Sequence, residues 1–98
     1  MIVSTYHAHS TYSDGKNTLE EMVQAAINCG MKEIGFTDHA PMQFYCDWSM
    51  DEKNVQSYKN EVLALREKYK DQIKIFLGIE QDYYSIPADP DYDFILGS

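Results

Sequence analysis

Ninety-eight residues suffice for one modest domain, and an apolar fraction of 44% argues against a disordered chain. Sixteen acidic against eight basic side chains leave a formal charge of −8, which counts against a nucleic-acid groove or an anionic membrane surface as partner. The two cysteines, Cys29 and Cys46, are too few for a disulfide scaffold, and no apolar run approaches the roughly 20 residues of a membrane span.

The opening stretch, MIVSTY, is short, apolar and β-branched, and predicts a buried strand. It lacks a basic start and turns polar at once, unlike a secretory leader, so the expected location is cytoplasmic. A turn at Ser13-Asp14-Gly15 comes next, and then a helix start at Thr18, which forms a capping box with Glu21 three residues on. Met22, Val23, Ala26 and Ile27 follow helical spacing, and Gly30 supplies the stop. Cys29, at the end of that helix, is expected to be a small buried hydrophobe. EIGFT, residues 33–37, predicts the second strand. A loop rich in Pro, Met and aromatics runs from Ala40 to Met50. The second helix is predicted to begin near Ser49 or Asp51, with an apolar stripe of Val55, Tyr58, Val62, Leu65 and Tyr69 and with Lys, Glu and Arg on the other side. IKIFLGIE, residues 73–80, and YDFILGS, residues 92–98, predict the third and fourth strands.

Strand and helix in alternation predict right-handed βαβ units, a parallel sheet and the α/β class. Only QDYYSIPADPD separates the last two strands, about the minimum for a parallel crossover and too short for a real helix. Four parallel strands with two helices do not easily cover both sheet faces. The chain is therefore expected to be a piece of a larger α/β domain, with its uncovered sheet open to self-association.

In parallel α/β folds, ligands gather at the carboxyl ends of the strands. The first predicted strand ends in His7 and His9, the second in Asp38 and His39, and the third in Glu80 with Asp82 just beyond, which accounts for every histidine in the chain. On an extended backbone His7 and His9 share a face, while Ala8 between them points away. Imidazoles with carboxylates suit zinc, manganese or iron. Glu80, with two oxygens, can bridge two ions about 3.5–4 Å apart. Asp14 reads equally well as a turn residue or as a ligand. Asp38 reads as a residue that orients a neighbouring histidine, and Asp82 as a residue of the pocket or its loop rather than a ligand. Asp89, Asp91 and Asp93 read as loop carboxylates, and Tyr12, Tyr83 and Tyr84 as packing residues. Neither a glycine-rich phosphate loop nor a nucleophile elbow is present.

HAHSTYSDG, GFTDHAP, GIEQDYY and DYDFILGS resemble, in order, successive motifs of the PHP (polymerase and histidinol phosphatase) superfamily, and most of all its monofunctional histidinol-phosphatase branch. The resemblance implies that residues 1–98 are the amino-terminal part of a distorted (β/α)7 TIM-like barrel, truncated after the fourth strand, with up to three divalent ions at the strand ends. It implies hydrolysis of a small-molecule phosphate monoester, L-histidinol phosphate to L-histidinol, in histidine biosynthesis. Carried over residue by residue, His7, His9 and Glu80 look like ligands of a first metal, Glu80 bridges to a second, and Asp14 and His39 look like ligands of a third. The family's remaining ligands, its phosphate-holding basic residues and the general acid would lie beyond Ser98. These 98 residues alone are thus expected to have little or no activity. The alternatives are a catalytically inactive metal-binding fragment, or the same centre acting on a nucleotide or a nucleic-acid end.

Overall fold

A computed structural model describes residues 4–5, 8–43, 46–82, 85 and 91–97. Strands and helices alternate as the sequence predicts: β1 (Ser4–Thr5), α1 (Leu19–Asn28), β2 (Glu33–Phe36), α2 (Val55–Lys68), β3 (Lys74–Gln81) and β4 (Phe94–Gly97). The four strands form one parallel sheet in the order β1-β2-β3-β4. Of the first predicted strand, residues 1–3 and 6 lie outside the described residues.

Local signals set the ends of α1. The Thr18 hydroxyl accepts the N–H of Glu21 at 3.2 Å, and the Glu21 carboxylate accepts the N–H of Thr18 at 2.8 Å, so two amides that the helix leaves unpaired are satisfied reciprocally. Gly30, at φ 81°, takes the left-handed turn that ends the helix. Leu19, Val23 and Ala26 are buried in the hydrophobic core. Cys29 is not a buried hydrophobe: it is the C-cap residue, at the end of α1 where the chain leaves the helix, and lies exposed.

The second helix starts later than its pattern suggests. The N–H of Met50, a residue only 2% exposed, donates to the carbonyl of His39 at 3.0 Å, which holds the loop off a helical path. A 3-10 turn over Glu52–Asn54 follows, and the α-helix proper opens at Val55 with no side-chain cap. Its stripe is as predicted, with Tyr58, Val62, Leu65 and Tyr69 buried and Val55 partly so. Tyr58 also donates its hydroxyl to the carbonyl of Gly78 at 2.7 Å, tying the helix to the middle of β3. Lys59 departs from the expected polar face. It is 3% exposed, 2.9 Å from the Asp91 carboxylate, and stands over the Tyr92 ring at 4.8 Å. A cation buried this far is stable only when paired, and the segment before β4 supplies the pair.

That pairing explains how a link too short for a helix still delivers a parallel strand. Asp93 accepts the Leu77 N–H at 2.7 Å, its own N–H donates to the Leu77 carbonyl at 2.7 Å, and its carboxylate meets the Arg66 guanidinium. The Nε of Arg66 donates to the Ile75 carbonyl at 2.8 Å. Asp91 and Asp93, which read as loop carboxylates, therefore fasten the start of β4 to α2 and β3. Register then runs Gly78↔Phe94 to Gln81↔Gly97. Gly78 is required by space: a Cβ there would lie 2.5 Å from the Phe94 ring and 2.9 Å from the Phe36 carbonyl oxygen. Ile95 of β4 is 52% exposed. Among the described residues, no helix is long and apolar enough to cross a membrane.

Candidate metal centre

Main-chain bonding continues past the formal strand ends and sets the candidate ligands side by side. The Thr37 N–H donates to the Ala8 carbonyl at 2.8 Å, the Glu80 N–H to Asp38 at 3.0 Å, and the Ala40 N–H to Glu80 at 2.9 Å. His39 and Glu80 form a parallel bridge, so their side chains leave the same face of the sheet. Ala8 packs against the core, as strand alternation requires if His9 is to face the other way.

Asp14 reaches the same place by a turn. The Ser10 carbonyl accepts the N–H groups of both Ser13 (3.1 Å) and Gly15 (2.9 Å), and the Asn17 carbonyl accepts that of Thr11 at 3.0 Å. The chain doubles back so tightly that a Cβ on Gly15 would lie 2.2 Å from the His9 carbonyl oxygen and 2.5 Å from its carbon. Close approach, not a left-handed backbone, is what demands glycine there, since the positive φ recorded among the described glycines belongs to Gly30.

Four side chains converge as a result. His9 Nδ1 is 2.9 Å from Asp14 Oδ1, and His9 Nε2 is 2.8 Å from Glu80 Oε1. His39 Nε2 is 3.1 Å from Asp14 Oδ2, and its Nδ1 is 3.6 Å from Glu80 Oε2. The two imidazole centroids are 4.4 Å apart, and His9, Asp14 and His39 each present a donor atom within 4.8 Å of the others. Burial pushes the Asp14 carboxyl upward, but the charges of His39 and His9 outweigh it and hold the group below its usual range. His9, Asp14 and His39 bring two imidazoles and a carboxylate within reach of one ion, a donor set that fits zinc, manganese or iron, and Glu80 meets the other nitrogen of each ring. His7 lies outside the described residues, as do Tyr83, Tyr84 and Asp89. Asp82 sits just past β3, where its main chain closes a turn with Ser85 (2.8 Å and 3.1 Å).

Asp38 is fully buried and works differently from the histidine-orienting role expected of it. Its Oδ1 accepts the Ser10 N–H and the Ser13 hydroxyl, each at 2.6 Å, and its Oδ2 accepts the Ser10 hydroxyl at 2.7 Å. The Ser13 oxygen in turn accepts the His39 N–H at 3.1 Å. Burial raises the carboxyl while the hydrogen bonds from Ser13 and Ser10 pull it back, and the net direction is upward. Asp38 thus holds the Asp14 turn against β2. Ser10 and Ser13, which the sequence reading passed over, complete this hub. Replacing Asp38 by alanine strands three donors and is expected to cost about 3 kcal/mol in thermal or urea unfolding. Asp38→Asn retains one carbonyl acceptor and should cost clearly less.

The loop from β2 to α2 forms one wall. Trp48 meets His39 edge to face, centroids 4.9 Å apart. Beside it a polar cleft of about 320 Å³ opens between Tyr12, Ser13, Cys46, Asp47, Ser49 and Asp51. The Tyr12 hydroxyl donates to Glu61 at 2.9 Å, and its ring packs against Tyr58. Burial and the Glu61 carboxylate push that phenol up to about 12, so it remains a donor at neutral pH.

Residues 5–97 match the family described as PHP domain. A "Probable histidinol-phosphatase" from Deinococcus radiodurans is 29% identical over 91 residues, which cover 83% of this chain and 35% of that protein. A DNA polymerase/3'-5' exonuclease PolX from Bacillus subtilis is 33% identical over 76 residues, covering 78% and 13%. The crystal structure of histidinol phosphate phosphatase from Lactococcus lactis, complexed with zinc, L-histidinol and phosphate, is 36% identical, with a TM-score of 0.70 over 81% of this chain and 30% of that one. The chain thus spans about a third of the length of the histidinol phosphatases it matches. Because the family match runs over nearly the whole chain, the chain belongs to the PHP domain family.

Proposed function

We propose that the chain supplies the amino-terminal part of a metal-dependent phosphatase that releases phosphate from L-histidinol phosphate. The observation that carries this reading is the convergence of His9, Asp14, His39 and Glu80 at the carboxyl ends of neighbouring parallel strands. The relative bound to zinc, L-histidinol and phosphate supports the choice of ester. In this reading His7, His9, Asp14, His39 and Glu80 hold the ions, up to three with residues of a longer chain. Bound divalent ions would activate water and neutralise phosphoryl charge. The chain's own part is to position donors before substrate arrives. Glu80 faces both imidazoles from a central strand, while Asp38, through Ser10 and Ser13, keeps the Asp14 turn from moving. A site held this way needs no reorganisation as charge develops. The reading implies a small-molecule partner and a cytoplasmic setting, and the exposed Ile95 edge of β4 offers a surface for self-association.

The test is phosphate release from L-histidinol phosphate with Mn²⁺ or Zn²⁺, by the 98-residue chain and by the complete reading frame that encodes it. Turnover by the complete frame, with little from the chain alone, is expected. Silence of the complete frame with every metal would end the proposal. The match to the polymerase/exonuclease favours a second reading, the same centre acting on a nucleotide. It gains only if a substrate panel shows clear preference for an oligonucleotide or nucleoside phosphate.

A further inference from the structure

Among the described residues, Thr37 alone buries a side-chain polar atom that has no hydrogen-bond partner. It is 0% exposed, and its hydroxyl meets neither a donor nor an acceptor. Leaving such a group unpaired is costly, and valine, of nearly the same branched shape and equally at home in a strand, would remove the cost. The hydroxyl therefore calls for a partner that the folded chain does not itself supply.

The sheet sets its direction. Ile34 and Phe36 of β2, with Ile75, Leu77 and Ile79 of β3, fill the core, and alternation turns the residues between them to the other face. Thr37 lies between the paired rungs Phe36↔Leu77 and His39↔Glu80, while its neighbour Asp38 sends its carboxylate to Ser10 and Ser13. Thr37 thus shares a face with His39 and stands one step deeper along the strand. Its N–H donates to the Ala8 carbonyl at 2.8 Å, which sets it beside His9 on the neighbouring strand extension. The unpaired hydroxyl accordingly lies beneath the metal centre and on its face of the sheet. The donors above do not take it, because His9 and His39 each direct both ring nitrogens at Asp14 and Glu80. His9, Asp14 and His39 offer one ion three donors, and an ion of this class fills a remaining position with an oxygen from solvent.

We infer that Thr37 is a positioning residue of the centre, whose hydroxyl binds the solvent oxygen that arrives with the ion and fixes where that oxygen sits. The partner is water or hydroxide, small enough for a place closed to bulk solvent and able to donate as well as accept. The inference rests on the metal-centre part of the reading above and not on the identity of the ester.

Thr37→Val and Thr37→Ser in the complete reading frame provide the test. Metal-free, Thr37→Val should melt at or above the parent, since it loses an unpaired buried hydroxyl. Its zinc affinity, by calorimetry, should nonetheless fall roughly tenfold, as when a metal site loses an outer hydrogen bond, and Thr37→Ser should recover most of the loss. Co²⁺ gives a second readout: its visible absorption should differ between Thr37→Val and the parent, and agree between Thr37→Ser and the parent. Zinc affinity and a Co²⁺ spectrum that are parent-like in Thr37→Val overturn the inference. So does a metal-free Thr37→Val that melts well below the parent, which would give the hydroxyl a partner within the chain. A parent that takes up metal and shows these differences, yet releases no phosphate from L-histidinol phosphate, removes the phosphatase reading and leaves this one standing.

Discussion

Alanine at Gly15 is expected to weaken metal binding sharply and to destabilise the fold in one step. The added Cβ would sit 2.2 Å from the His9 carbonyl oxygen, 2.5 Å from the His9 carbon and 2.8 Å from the Ser10 carbon. All three obstacles are backbone, so no side chain can swing aside. The turn must open, and the bonds from Ser13 and Gly15 to the Ser10 carbonyl open with it. Overpacking of this kind costs about 3 kcal/mol, and rather more where backbone must yield. The functional loss follows from the same movement, because Asp14 reaches His9 and His39 only through this turn. Metal affinity should fall by on the order of 100-fold, as when a metal site loses a ligand's support. Unfolding followed by circular dichroism, with zinc uptake by calorimetry, reads both effects. Gly97→Ala is the control, since nothing lies within 4 Å of a Cβ placed there. A Gly15→Ala protein that melts and binds zinc like the parent would show that the turn does not fix Asp14.

His39→Ala should separate the two effects that Gly15→Ala merges. His39 faces Asp14 through one ring nitrogen and Glu80 through the other, and its main-chain N–H remains to bond Ser13 when the ring is removed. The metal-free variant should therefore melt close to the metal-free parent. With zinc the two should part. An ion that binds only the folded chain, present at about a hundred times its Kd, stabilises by about 2.7 kcal/mol. A 100-fold weaker site at the same concentration retains only about 0.4 kcal/mol. For a domain of this size the difference is about 10 °C in melting temperature. A chelator added to the loaded parent should reproduce the variant's melting curve. Equal zinc-induced shifts in parent and His39→Ala would remove His39 from the centre.

Much of this could be read from the sequence because its signals are local. The Thr18 and Glu21 capping box, the Gly30 stop, the stripe of α2 and the alternation around Ala8 each depend on residues a few positions apart. The polar side of the centre could not be read so. The partners of Asp38 lie 25 and 28 residues away, and only the register of β2 beside the β1 extension brings them together. Lys59 looked like part of a solvated face because its partner, Asp91, is 32 residues on. Cys29 was misjudged for a simpler reason: composition says that cysteine prefers the interior, but a C-cap position decides exposure by where the helix ends. The late start of α2 came from a bond between Met50 and His39 that no capping rule encodes.

The pairing of His9 with Glu80 spans 71 residues. Loop-closure entropy makes so distant a meeting one of the last events in folding, after hairpin-scale contacts have formed. Local chain order gathers His9 and Asp14 early, but β3 must dock before Glu80 joins them, and His39 is brought into line by its bridge to that same strand. An ion bound at this centre would therefore act as a proofreading signal for assembly, held firmly only by chains whose third strand has found its correct neighbour and register.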